Sequence, residues 1–155
     1  PEQLSQFAFL IGDYQIEGFG WFNNQWYTNP NATHPPRWNG YYGLAGQAII
    51  DEWFNFDPGL ATDTKRGVNV RMFDSDADEW KMMWISTTNH VVQDLRAKVI
   101  DGKLTMWQVY PERPTFKAEF EVLDQNHWQR IEYLKDDEGH WQKRFKLVAS
   151  RIPCP

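Results

Sequence analysis

Residues 91–110 read Val91-Val92-Gln93-Asp94-Leu95-Arg96-Ala97-Lys98-Val99-Ile100-Asp101-Gly102-Lys103-Leu104-Thr105-Met106-Trp107-Gln108-Val109-Tyr110. Polar and apolar side chains alternate along the first half, so Val91, Gln93, Leu95, Ala97 and Val99 share one face of a strand and Val92, Asp94, Arg96 and Lys98 share the other. Asp101-Gly102 supplies two residues that tolerate positive φ, the requirement of a tight hairpin turn. The stretch therefore predicts two antiparallel strands joined by a two-residue turn.

The same rhythm runs outward in both directions. Period-two segments predict strands at about 13–22, 38–44, 47–56, 67–73, 79–87, 91–100, 103–110, 116–123, 127–134 and 140–151. Ala45-Gly46, residues 74–78, 111–114, 124–126 and 136–139 punctuate them with turn chemistry. Connections this short force antiparallel neighbours, because a parallel pair needs a long crossover. About ten strands in a meander strain an open sheet, and closure removes the edges. The fold class read from the sequence is all-β: an antiparallel up-and-down barrel of eight to ten strands, formed by residues 1–155 as one domain. Leu4, Phe7, Ala8 and Ile11 have helical spacing, which predicts a short helix over 2–10 that ends at Gly12.

The 155 residues include nine tryptophans, and 16% of the chain is aromatic. A ring-rich, aliphatic-poor composition suits a hollow barrel lined with rings; a solid aromatic core is the competing reading. The net charge of −5 opposes nucleic acid and anionic membrane surfaces as partners. One cysteine, Cys154, allows no intrachain disulfide. No apolar run approaches a membrane span. A cytoplasmic protein is expected, with a cleaved leader left open because the sequence starts at Pro1. Asn31-Ala32-Thr33 fits a glycosylation sequon and is read as chance.

Two segments break the alternation. Residues 27–37 hold Asn29-Pro30-Asn31 and His34-Pro35-Pro36, which cannot join a central ladder; a long loop is expected, either a lid over the barrel mouth or a plain surface loop. Residues 57–65 form a second loop around Pro58-Gly59.

Alternation also nominates the barrel lining. Phe116, Ala118, Phe120 and Val122 oppose Lys117, Glu119 and Glu121. Trp80, Met82 and Trp84 share a face; so do Ile49, Asp51 and Trp53; so do Trp128, Arg130, Glu132 and Leu134, although Ile131 and Tyr133 make a competing inner face. Trp141, Phe145, Leu147 and Ala149 place Lys143 with them. The inward polar set is then Asp51, Gln93, Arg130, Glu132 and Lys143. Buried charges need partners, water or a ligand. The tryptophans, set among apolar neighbours, are read as interior rather than as an exposed sugar-stacking platform.

Catalytic signals are sparse. His34, His90, His127 and His140 form no metal-ligand pattern and read as surface or rim residues. Residues 74–79 imitate a calcium loop, but Glu79 stands where glycine is required and Ile85 where a glutamate is. No nucleophile elbow, phosphate loop or dinucleotide fingerprint occurs. Acid–base work would fall to Asp51, His90, Glu132 or one of Tyr41, Tyr42, Tyr110 and Tyr133; for Asp51 a structural ion pair is the favoured reading. No metal and no cofactor is expected.

Leu10-Ile11-Gly12-Asp13-Tyr14 resembles the calycin opening, in which a short helix leads into a Gly-x-Trp on the first strand. Phe145 to Arg151 resembles the calycin last strand, whose arginine stacks over that tryptophan. Trp38-x-Gly40, Gly67 to Phe73-Asp74, Trp80 to Trp84, Asp101-Gly102 and Gly139-x-Trp141 resemble bacterial lipocalin-like domains of the calycin superfamily, largely of unassigned function. Tyr14 stands where tryptophan is usual, a departure that still allows a cation–π contact between Tyr14 and Arg151. The resemblance implies a barrel that holds a small, mostly hydrophobic molecule; in the wider superfamily some relatives bind haem and others are enzymes acting on lipids, isoprenoids or polyketides.

The sequence thus predicts binding of a small hydrophobic or amphipathic ligand by Trp53, Trp80, Met82, Trp84, Phe120 and Trp128, with Gln93 and Arg130 orienting a polar group. The alternative is a cyclase, isomerase or hydratase using Asp51 and His90 in the same cavity. A haem-binding barrel is the third reading.

Overall fold

The computed structural model describes residues 2–28, 35–55 and 64–153. A 3-10 helix, Glu2–Leu10, precedes eleven strands: β1 (Gly12–Phe22), β2 (Gln25–Thr28), β3 (Pro36–Gly43), β4 (Ala48–Asn55), β5 (Thr64–Asp74), β6 (Glu79–Ser86), β7 (Val91–Ile100), β8 (Lys103–Tyr110), β9 (Phe116–Asp124), β10 (His127–Lys135) and β11 (Trp141–Arg151). Every neighbouring pair is antiparallel, and β11 returns to β1 to close the wall. Strands β2 and β3 lie end to end along the same edge of β1: Phe19–Phe22 pair with β2 and Gly12–Gln15 with β3. The ring is therefore a closed ten-stranded barrel with β2 as an extension of its wall.

The turn chemistry is as expected at Asp101-Gly102, where φ is 50° and 78°, the two positive values of a type I′ hairpin. One hairpin departs from the expected loop. Asn23 and Asn24 adopt φ of 46° and 59°, turn the chain like Asn-Gly, and pair Tyr27 and Thr28 with β1. Of the loop expected over 27–37, Tyr27 and Thr28 belong to β2 and Pro36 and Arg37 to β3, while residues 29–34, with His34 and the sequon, lie outside the described residues. So do residue 56, residues 57–63 of the second expected loop, and Cys154; Thr64 and Lys65 belong to β5.

The helix plugs one end of the barrel. Leu4, Phe7 and Leu10 are buried, and Gly40 lets the helix approach, since a Cβ there would lie 1.9 Å from the Leu10 carbonyl oxygen. Trp80 donates its indole N–H to Gln6 Oε1 at 2.9 Å. The closing contact resembles the calycin arginine closure in tyrosine form. Arg151 Cζ lies 4.7 Å from the Tyr14 ring centroid, and its guanidinium donates to the Tyr14 hydroxyl and to the Ile11 carbonyl at 2.9 Å. The Tyr14 hydroxyl donates in turn to the Phe9 carbonyl at 2.5 Å, tying helix, first strand and last strand together. Burial pushes the Tyr14 phenol above its ordinary value, against the opposing pull of Arg151.

Above the plug the barrel is packed solid with rings. Phe7 meets Trp80 and Phe120 edge-on at 4.9 and 5.3 Å, and Trp128 meets Tyr14 and Trp38 at 5.8 and 5.2 Å. Such edge contacts each add about 0.5–1.5 kcal/mol beyond the area they bury.

Several tryptophans expected inside face outward. Trp21 and Trp26 pair on the outer wall at 4.8 Å, with Lys143 Nζ 4.7 Å from the Trp21 ring and Lys146 Nζ 4.8 Å from Trp26. Trp141 lies against Lys117 and Lys135 on the same outer wall. The expected inward position of Lys143 is corrected by a bulge: Glu132 pairs with Phe145 but Tyr133 pairs with Lys143, so Arg144 is an extra residue that reverses the alternation of β11.

Candidate functional site

A polar layer lies on the plugged half. Asp51 on β4 and Arg71 on β5 are both fully buried. Arg71 Nε donates to Asp51 Oδ2 at 2.5 Å and Nη2 to Oδ1 at 3.2 Å; Nη1 faces Met82 Sδ at 3.1 Å. The guanidinium lies 4.6 Å from the Phe7 ring centroid. Burial pushes the Asp51 carboxyl up from its ordinary range, and Arg71 opposes the shift. The favoured reading of Asp51 as half of an ion pair is what the geometry displays.

Two residues further along each inward face, the barrel is hollow. A cavity of about 400 Å³ opens at the end opposite the helix. Its walls carry Trp38, Trp53, Trp84, Phe116 and Phe145, with Leu95, Met106 and Leu147 between them. Trp84 lies across a backbone kept bare for it, since a Cβ on Gly67 would come within 2.3 Å of the indole. Trp38 and Trp53 stand on paired positions of β3 and β4 with rings 6.0 Å apart at 88°. Polar groups punctuate the lining: Asn69, Ser86, Gln93 and Gln108 on the wall, Thr88 and Asn89 at the mouth. Gln93 Nε2 donates to Gln108 Oε1 at 3.1 Å, and Gln108 Nε2 donates to the Pro111 carbonyl at 2.6 Å.

Three charged side chains reach the cavity: Arg113, Arg130 and Glu132. Trp128 in the core fixes the register of β10, so Arg130 and Glu132 point inward and Ile131 and Tyr133 take the outer face. Arg130 Nη2 donates to Glu132 Oε1 at 2.7 Å. Arg113 belongs to the 111–115 connection, its guanidinium 4.9 Å from the Phe116 ring centroid. The mouth is open on this side because β8 and β9 pair over three positions alone, Leu104–Met106 with Phe120–Ala118.

Of the eight residues the sequence nominates for ligand binding, Trp53, Trp84, Gln93 and Arg130 line this cavity. Trp80, Met82, Phe120 and Trp128 face inward too, but they are packed in the solid half beside the helix, each at most 5% exposed. The two nominated catalytic residues lie apart: Asp51 in its ion pair, His90 exposed at the hairpin between β6 and β7 with φ of 53°. Trp38, Asn69, Ser86, Gln108 and Arg113 also line the cavity and are not among the residues the sequence nominates for binding. Strand alternation reaches Ser86 and Gln108, which continue the faces of Trp84 and Met106; no pattern signals Arg113, which lies on a turn.

No family model and no curated protein matches the chain. Solved structures do. The S-type phycobiliprotein lyase CPES from Guillardia theta superposes with a TM-score of 0.58 at 12% identity, covering 99% of this chain and 94% of that one. Rv2717c from M. tuberculosis superposes with a TM-score of 0.59 at 7% identity, covering 99% of both chains. The chain thus has the lipocalin-like, calycin-type barrel fold. Among the described residues no helix is long and apolar enough to cross a membrane.

Proposed function

We propose that this protein binds a small hydrophobic or amphipathic molecule in the open half of the barrel. One observation carries the reading: a cavity of about 400 Å³ walled by indole and phenyl rings, with a few convergent polar groups. That combination of size and lining is typical of small-molecule sites, where rings supply affinity and sparse polar groups select. The likeness to a lyase named for a pigment protein agrees with a small-molecule partner but is a likeness of fold. A cytoplasmic setting accompanies this reading, as the chain has one cysteine and no disulfide to protect. Catalysis by acid–base transfer is less supported: among the described residues the lining holds one carboxylate, Glu132, already engaged by Arg130, and no histidine.

The test uses the uncharged fluorophore N-phenyl-1-naphthylamine. Saturable one-to-one binding is expected, abolished by Gln93→Trp, which fills the cavity from its wall, and unchanged by Trp21→Ala on the outer face. Native mass spectrometry of freshly purified protein should also display a retained small molecule. Absence of saturable binding by the folded protein, or binding indifferent to Gln93→Trp, overturns the proposal.

A further inference from the structure

The deep wall of the cavity is rich in donors that have no acceptor. Among the described residues, the buried side-chain atoms without a hydrogen-bond partner include Trp38 Nε1, Trp128 Nε1 and Arg130 Nε, against one acceptor, Asn69 Oδ1. Trp38 is 2% exposed and Trp128 1%. Trp38 and Arg130 line the cavity. Trp128 meets Trp38 edge-on with centroids 5.2 Å apart and precedes Arg130 by two residues on the same face of β10. Three N–H groups therefore gather where the hollow half meets the packed half. An indole N–H and a guanidinium N–H can only donate, and leaving such groups buried and unmatched is costly.

Charge adds to this. Inside the barrel Asp51 answers Arg71 and Glu132 answers Arg130, so the interior ions balance, and the exposed Arg113 brings a further guanidinium to the cavity's mouth. Glu132 uses an Nη of Arg130, and Arg130 Nε, buried without a partner, is left for another acceptor.

Resting on the binding function proposed above, we infer that the ligand is an amphipathic carboxylate whose anionic end lies deep in the cavity, received by Arg130 Nε and Trp38 Nε1, with its apolar body between Trp53, Trp84 and Phe145. Charge-assisted bonds of this kind are stronger than neutral ones and select for the ionised head. Glu132 competes for the same guanidinium and weakens the site's hold.

The experiment compares carboxylic acids with their methyl esters, using dodecanoic, 2-naphthylacetic and 1-pyrenebutyric acids, by displacement of N-phenyl-1-naphthylamine at pH 7.5. For at least one pair the acid is expected to bind about tenfold or more tightly than the ester, the equivalent of one charge-assisted contact. Arg130→Gln should bring the acid down to the ester's affinity while the ester changes by less than about threefold. Trp38→Phe keeps the ring and the fold and should weaken the acid alone. Glu132→Gln should tighten the acid severalfold, an effect that a purely structural role for Glu132 does not produce. Esters that bind as well as their acids throughout, with Glu132→Gln without effect, overturn the anion assignment and leave the cavity's binding function intact. Failure of acids, esters and the uncharged probe alike overturns the binding function itself.

Discussion

Arg71 shows how a single side chain divides this interior. It is fully buried among rings, with one carboxylate, Asp51, and one sulfur, Met82 Sδ, as partners. A buried pair of this kind contributes little net stability because both ions lose their water, yet breaking it strands a charge. Asp51→Asn and Arg71→Ala are therefore each expected to cost about 3–5 kcal/mol. Replacing both at once by apolar residues, Asp51→Leu with Arg71→Met, should cost far less than the two single changes together, a coupling that urea unfolding read as a double-mutant cycle measures directly. Additive losses would mean that each residue is held by its ring contacts and not by the other. The pair also explains what alternation can and cannot say. Asp51 is legible as an inward charge from Ile49 and Trp53 on the same face; its partner could not be singled out, because pairing Asp51 with Arg71 depends on neighbouring strands rather than on order along one strand.

At the scale of elements, the strands were legible because their alternation and turn residues agree, and the turns repay a closer look. Asp74, Asp124 and Asp136 each open a hairpin and bind its backbone. Asp74 Oδ1 accepts from Asp76 N and Ala77 N at 3.0 and 3.2 Å, Asp124 Oδ1 from Asn126 N at 2.7 Å, and Asp136 Oδ1 from His140 N at 2.8 Å. All three carboxyls are held below the ordinary aspartate value of 3.8: Asp74 by Lys81 and then Ala77 N–H, Asp124 by Asn126 N–H and then His127, Asp136 by Gln142 and then His140 N–H. A lowered folded-state value means the unfolded chain takes up protons first on acidification. The stabilisation from these turns is thus complete above about pH 4 and is lost as pH falls through the lowered values. Thermal midpoints measured from pH 6 to pH 2 should fall less steeply in the triple variant Asp74→Asn, Asp124→Asn, Asp136→Asn; an identical slope would place the acid sensitivity elsewhere. Two elements escaped the sequence for local reasons. The β1–β2 hairpin turns on Asn23-Asn24, with no glycine to mark it, and β2 is four residues long. The bulge at Arg144 inserts one residue into an otherwise regular run, and everything before it, Lys143 and Trp141 included, changes face.

Taken whole, the molecule is a barrel filled at one end and hollow at the other, and this asymmetry decides which inward residues meet a guest. Trp80, Met82 and Trp84 share one face of β6, yet the first two pack beside the helix and Arg71 while the third lines the cavity. Alternation along a strand gives the face of a residue but not its depth, and depth is set by how far Phe7 and its helix reach into the tube. That separation has a dynamic consequence. Local opening is easiest where ladders are short and contacts few, and here that is the mouth, where β8 and β9 pair through Leu104–Met106 alone. Amide hydrogen exchange should accordingly be fast over the 111–115 connection and slow over 4–16 and 95–106. Saturation with a bound carboxylate such as 1-pyrenebutyric acid stabilises the folded state by mass action, about 2.7 kcal/mol at a hundredfold excess over Kd. The added protection should concentrate in 84–95 and 107–118, around the mouth, and should reach the helix-plugged core through global unfolding alone. Exchange slowed first at Glu2–Leu10 would place the guest against the helix, in the half that the rings of Phe7, Trp80 and Phe120 already fill.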